Sequence, residues 1–142
     1  MKIVICGSMK FARQMDKVRK QLEERGYVVF VPEFVDDFIN GKLGWRLGTV
    51  SEKEGAEKKK QHDLIRKHYQ KIKRADAILV LNYTKKGIKN YIGGNSFLEM
   101  GFAYILKKKI YLLNPLPKVS FYYEEVLAME PIVLNGDLFK IK

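Results

Sequence analysis

From Asn90 to Leu106, between Lys89 and Lys107, a single side chain carries charge, Glu99, in a chain of which 30% of the residues are charged. The segment follows an apolar run, Ala77 to Leu81, that reads as a buried strand. Gly93 and Gly94 come just ahead of an apolar helix that holds Glu99. A lone carboxylate at that place, after a glycine-rich loop, is where an α/β protein positions a catalytic group. Burial raises the pKa of such a carboxylate and a helix N-terminus lowers it, so its chemistry departs from that of a surface Glu in either case. Ser96 and Glu99 also have the spacing of a capping box, in which Ser caps a helix and Glu reaches back to the Ser amide. Local sequence leaves both readings open.

Other groups could join it. Gly7 and Ser8 lead into a helix, so their amides could hold a phosphate or carboxylate, or Ser8 could be a plain N-cap. Gly93, Gly94, Asn95 and Ser96 offer a second set of amides at a helix start. Neither loop has the G-x-G-x-x-G or Gly-Lys-Ser/Thr pattern, which disfavours nicotinamide chemistry and ATP hydrolysis. Asp76 stands at a helix-to-strand junction, suited to a turn or to a functional role. His62 and His68 are six apart on a basic helix, which is not metal-ligand spacing, and solvated roles are expected of them. Cys6 is expected as a small buried apolar residue of the first strand. With one Cys and scattered His, no metal site is expected. Tyr122, Tyr123, Glu124 and Glu125 read as surface or interface.

The elements that must position these groups alternate. Lys2 to Cys6 reads as a strand. Phe11, Met15, Val18 and Leu22 mark one face of a helix over residues 10–25, stopped by Gly26 in the place of a left-handed C-terminal residue. Tyr27 to Val31 is the second strand, ended by Pro32. Residues 32–52 read as irregular, with Gly41, Gly44 and Gly48, and so long a connection suits a lid or binding loop. Its Phe34, Phe38 and Trp45 could stack on a base or pin the loop to the body. A helix over 54–74 follows, then the strand at 77–81, apolar throughout as a central parallel strand is. The Glu99 helix, a strand over 109–113, a short helix near 121–129 and a last strand near 132–134 complete the chain. This alternation implies a doubly wound, flavodoxin/Rossmann-like α/β fold. Its mainly parallel sheet has five strands in the order 2-1-3-4-5, formed by residues 1–142 as one domain. Ligands bind at the carboxyl ends of strands beside the topological switch point. The loops after strands one and three open there, so fold and isolated carboxylate converge on one cleft.

Composition bounds the partners. At 142 residues and 46% apolar content the chain can bury a substantial core. No apolar segment approaches the roughly 18 residues that cross a bilayer, and the apolar run Ile3 to Cys6 is too short for a signal-peptide core. A single cysteine excludes an intramolecular disulfide and fits a reducing cytoplasm. The net charge of +11 comes from 21 Lys and 6 Arg spread over helix faces. No base-reading motif accompanies them, so a small anionic ligand such as a nucleotide phosphate is a better match to the positive field than a nucleic acid.

Three stretches carry a family resemblance: Ala75 to Asn82, Gly94 to Ala103 with Glu99, Gly101 and Ala103, and Lys109 to Leu113. Together with Ile3 to Ser8 and Phe11, they resemble the nucleoside 2-deoxyribosyltransferase superfamily, which includes deoxynucleoside 5'-monophosphate N-glycosidases. The resemblance covers residues 1–31 and 75–113. It implies that Glu99 is the nucleophile that attacks the anomeric carbon and that Asp76 holds or activates it. It also implies substrate contacts from Gly7, Ser8, Phe11, Asn82, Gly93, Gly94, Asn95 and Ser96, no metal or organic cofactor, and a homo-oligomer in which a neighbour can complete the site. The chain departs from the pattern in two places. Gly93 stands where the family's transferases often carry an Asp that contacts and protonates the base. Asn95 and Phe97 stand where its glycine pattern has Gly. These departures favour a hydrolase that relies on phosphate contacts over a transferase. The expectation is an enzyme that cleaves the N-glycosidic bond of a (deoxy)nucleoside or its 5'-monophosphate. The rival is a non-catalytic nucleotide-binding protein of the same fold. The helix around Glu99 is apolar nearly all round, which calls for deep burial or a partner copy.

Overall fold

The structure, a computed structural model, describes residues 1–42 and 51–142. Trp45 lies outside the described residues, as do Gly44 and Gly48. Five strands form the sheet: β1 (Lys2–Cys6), β2 (Val28–Phe30), β3 (Ala77–Val80), β4 (Lys109–Leu112) and β5 (Ile132–Val133). Their order is β2-β1-β3-β4-β5 and every pairing is parallel, as the alternating sequence implies. β1 sets Ile3 beside Ala77 and Cys6 beside Val80.

The period-2 alternation of a strand sends successive side chains to opposite faces, and here it divides the core in two. Ile3, Ile5, Ala77, Leu79 and Tyr111 pack on one face against helix α1 (Ala12–Glu23), which contributes Met15, Val18 and Leu22. Val4, Cys6, Ile78, Val80 and Leu112 face the other way. There they meet α4 (Leu64–Arg74) through Ile72, α5 (Gly94–Ile105) through Met100 and Ala103, and α6 (Tyr123–Ala128) through Val126. Gly26 closes α1 at φ +85°, where a left-handed residue ends the helix and glycine carries no Cβ penalty.

Two expectations are corrected. The connection after β2 is not irregular throughout: Val35–Ile39 forms a short helix, α2, with Val35 buried against the α1 layer. The helix expected over 54–74 is two helices, α3 (Glu52–Gln61) and α4, broken at Asp63, which takes φ +51°. Asp is among the few residues that visit the left-handed region readily. The break also follows from burial. α3 buries no side chain and has no apolar stripe, whereas α4 turns Leu64, His68 and Ile72, spaced by four, toward the body. Among the described residues, no helix is long and apolar enough to cross a membrane.

Candidate functional site

At the carboxyl ends of β1 and β3, where the chain's crossovers diverge, a cavity of about 360 Å³ opens. Its lining includes Gly7 and Ser8 from the loop after β1, Glu33 and Phe34 after β2, and Tyr91 to Ser96 leading into α5. Gly7 is tightly placed: a Cβ there would meet Met15 Cε at 3.2 Å and the Leu81 carbonyl oxygen at 3.3 Å. The backbone therefore comes closer to the neighbouring strand end than any side chain would allow.

Glu99 lies at the floor, 5% exposed. α5 starts at Gly94 with Gly93 as its N-cap, so Ser96 is inside the first turn and caps nothing. The capping-box reading of Ser96 and Glu99 is corrected by this helix start. Glu99 Oε1 instead accepts a hydrogen bond from Asn95 Nδ2 at 2.8 Å, an i,i+4 pair that fixes the carboxylate's orientation. Among the described residues, Glu99 Oε2 is the buried side-chain oxygen or nitrogen left with no hydrogen-bond partner. Buried polar atoms are almost always satisfied, so an unpartnered oxygen on a residue that lines the cavity is a departure that calls for a functional reason.

The residues around Glu99 were not anticipated. His68, expected in solvent, is buried, with Nε2 3.6 Å from Glu99 Oε1. Cys6 Sγ lies 3.4 Å from the same nitrogen. Burial, reinforced by Lys71, lowers the His68 pKa to about 4, so it is neutral at pH 7 and forms no ion pair with Glu99. Burial raises Glu99 to about 7, against the opposing pull of hydrogen bonds from Cys6 and Asn95 and of the Lys59 charge. Burial and then the Glu99 charge push the Cys6 thiol well up, which removes it as a nucleophile.

Gly7, Ser8, Gly93, Gly94, Asn95 and Ser96 all line the cavity with Glu99. Three other expected site residues stand apart from it. Phe11 packs edge-on against Tyr83, with ring centroids 5.1 Å apart. Asn82 is fully buried and joins the ends of β3 and β4. Its side chain donates to the carbonyls of Asn114 and Pro115 and accepts from the Asn114 amide. Asp76 sits at the amino-terminal edge of the sheet, where Oδ2 accepts from the Lys2 amide at 2.7 Å. The length of β3 separates it from the cleft, about 13 Å at the rise of a strand. Asp76→Asn is accordingly expected to leave catalysis within a few-fold of wild type; a loss of several hundred-fold in kcat/KM at unchanged thermal stability would contradict this placement.

The rest of the wall is basic. Lys10, Lys58, Lys59, Lys67, Lys71 and Lys85 line the cavity, against Glu33 and Glu99 as its acidic side chains. Lys71 donates to the Val31 carbonyl and to Glu33, tying α4 to the end of β2. Lys85 is carried by a tight turn closed between Lys85 and Ile88, with Lys86 and Gly87 at positive φ. That turn brings Lys85 Nζ to 2.7 Å from Ser8 Oγ and over the Tyr91 ring. Partial burial and the charges of Lys86, Lys10 and Lys59 lower the Lys85 pKa, the signature of a positive cluster that an anion would relieve.

No protein-family model matches the chain, and no curated protein does. Among solved structures, it is similar to the CMP N-glycosidase BcmB of Clostridium botulinum, at a TM-score of 0.50 and 15% identity, over 94% of this chain and 85% of that one. At that identity the likeness shows the fold, a five-stranded parallel α/β sheet with helices on both faces.

Proposed function

We propose that this protein cleaves the N-glycosidic bond of a nucleoside 5'-phosphate, with Glu99 as nucleophile and water as the acceptor. The observation that carries the reading is the Glu99 carboxylate itself: buried on the floor of a basic cavity, oriented by Asn95, with Oε2 unpartnered. In the first step a Glu99 oxygen forms a bond to the anomeric carbon. The C–N bond breaks, and the base leaves with its electron pair and is protonated from water. In the second step water attacks the same carbon, loses a proton and frees the carboxylate. Low dielectric around Glu99 strengthens its interaction with the positive charge developing on the sugar. The lysines and the amides of Gly7 and Ser8 hold the phosphate.

Hydrolysis suits the wall better than base exchange. The acidic side chains lining it are Glu99 and the Lys71-paired Glu33, and Gly93 occupies the place where the resembled transferases handle the base. Incubation with a panel of nucleosides and their 5'-monophosphates, followed by chromatography for free base, tests the reading. Base released from monophosphates in preference to nucleosides is the expected result. A protein that binds the nucleotide and releases no base is the non-catalytic rival.

Assembly belongs to the same proposal. On α5, Leu98, Tyr104 and Ile105 are exposed, Ile105 by 78%, and Ile65 is exposed on α4. An apolar face of that kind calls for a cover, and we assign it to a second copy of the chain. Light scattering is expected to give a dimer or larger for the wild type and a monomer for Ile105→Glu; a wild-type monomer at high concentration would exclude it.

A further inference from the structure

We propose that Cys6, His68 and Glu99 form a binding site for a soft divalent cation of the zinc type, with its fourth position open to the cavity. The three donors come from three elements, β1, α4 and α5, and nothing in the sequence spacing joins them. All three are buried, and their ligand atoms lie within 4.8 Å of one another. The donor set, one thiol, one imidazole nitrogen and one carboxylate oxygen, is the kind zinc takes.

Two of the three donor separations are close to the edges of a coordination tetrahedron, and the third lies within 4.8 Å. With Zn–S near 2.3 Å and Zn–N and Zn–O near 2.0–2.2 Å, tetrahedral angles require S···N of about 3.6 Å and N···O of about 3.3 Å. The structure has 3.4 Å from Cys6 Sγ to His68 Nε2 and 3.6 Å from His68 Nε2 to Glu99 Oε1. A second observation points the same way. The other oxygen of the same carboxylate, Oε2, is buried without a hydrogen-bond partner. The Glu99 carboxylate is thus left short of the partners that a buried charge needs, and a cation bound to it would supply the missing compensation. His68 and Glu99 line the cavity, which gives the ion its entry path and leaves room for a water or substrate oxygen as fourth ligand. Binding displaces the Cys6 thiol proton to solvent, so uptake releases at least one proton per ion. An ion on Glu99 also takes the electron pair that attack on a sugar would need, so metal occupancy and nucleophilic attack exclude each other.

The test is a titration of chelator-treated full-length protein with Co²⁺, followed by competition with Zn²⁺. One equivalent of Co²⁺ is expected to give a thiolate-to-metal charge-transfer band with the visible bands of four-coordination, all displaced by Zn²⁺. Cys6→Ser should remove the charge-transfer band, and His68→Gln should lower Zn²⁺ affinity by tenfold or more, in variants whose thermal unfolding shows a folded protein. Binding without the thiolate band, or Zn²⁺ affinity unchanged in His68→Gln, would overturn the assignment. Metal binding and base release are read separately: a cobalt–thiolate band in a protein whose chelator-treated, metal-free form releases no base supports the metal site and contradicts the glycosidase reading.

Discussion

Replacing Glu99 with Gln will lower base release by roughly three orders of magnitude or more, because the amide keeps the shape and loses the attacking charge. The same change has a pH signature in stability. Glu99's folded-state pKa of about 7 lies above its ordinary value of 4.5. The folded protein therefore takes up this proton first as pH falls. The stability linked to it is fully present below pH 4.5 and is lost as pH rises through 7. A shift of that size corresponds to roughly 3 kcal/mol of cost for holding the buried charge at pH 8. Glu99→Gln removes that cost, so its stability relative to wild type should be higher at pH 8 than at pH 4.5, read from denaturant midpoints. His68, with a folded pKa of about 4, below its ordinary value of 6.5, acts in the opposite sense. Its stability is present above 6.5 and lost as pH falls through 4. It is present in both proteins, so the difference between them reads chiefly the Glu99 contribution. In wild type, kcat/KM should rise with pH to an inflection near 7 as Glu99 ionises. An inflection near 4.5 would mean that the carboxylate behaves as a solvated one, against its burial.

Lys85→Met is expected to raise KM for a 5'-monophosphate by roughly tenfold to a hundredfold, the loss of a charge-assisted hydrogen bond of about 1.5–3 kcal/mol. The corresponding nucleoside, which has no phosphate to lose, should be turned over with KM nearly unchanged. The turn that carries Lys85 also bonds Ser8, so a merely structural role would raise KM for nucleoside and nucleotide alike. Steady-state kinetics on the pair of substrates separates the two.

The parts of this molecule that could be read from sequence are those whose signal is local. The apolar run at 77–81 declares a central strand because both of its faces are covered. Glu99 stood out because its surroundings had been cleared of charge. His68 was missed because its helix is strongly basic. Yet Leu64, His68 and Ile72 share the spacing that puts them on one buried face, and that period was the available signal. Cys6 could be placed in β1. That it shares a face with α4 and α5, and so meets His68, depends on which side of the sheet each crossover takes. Asp76 shows the opposite failure. Its neighbours match a family pattern, but the residue opens β3 at the edge away from the cleft, and position along a strand decides which end of the sheet a side chain can serve. The helix start at Gly94 was likewise hidden, since a capping box at Ser96 fits the sequence equally well until the backbone is seen.

The most direct test of Glu99 as nucleophile is the anomeric configuration of the product when a β-nucleoside 5'-phosphate is cleaved in water containing methanol, followed by NMR. Two successive displacements at one carbon retain configuration and a single one inverts it. The account predicts the β-methyl glycoside as the first-formed methanolysis product; the α-methyl glycoside would show methanol attacking the substrate directly and would contradict a covalent bond to Glu99.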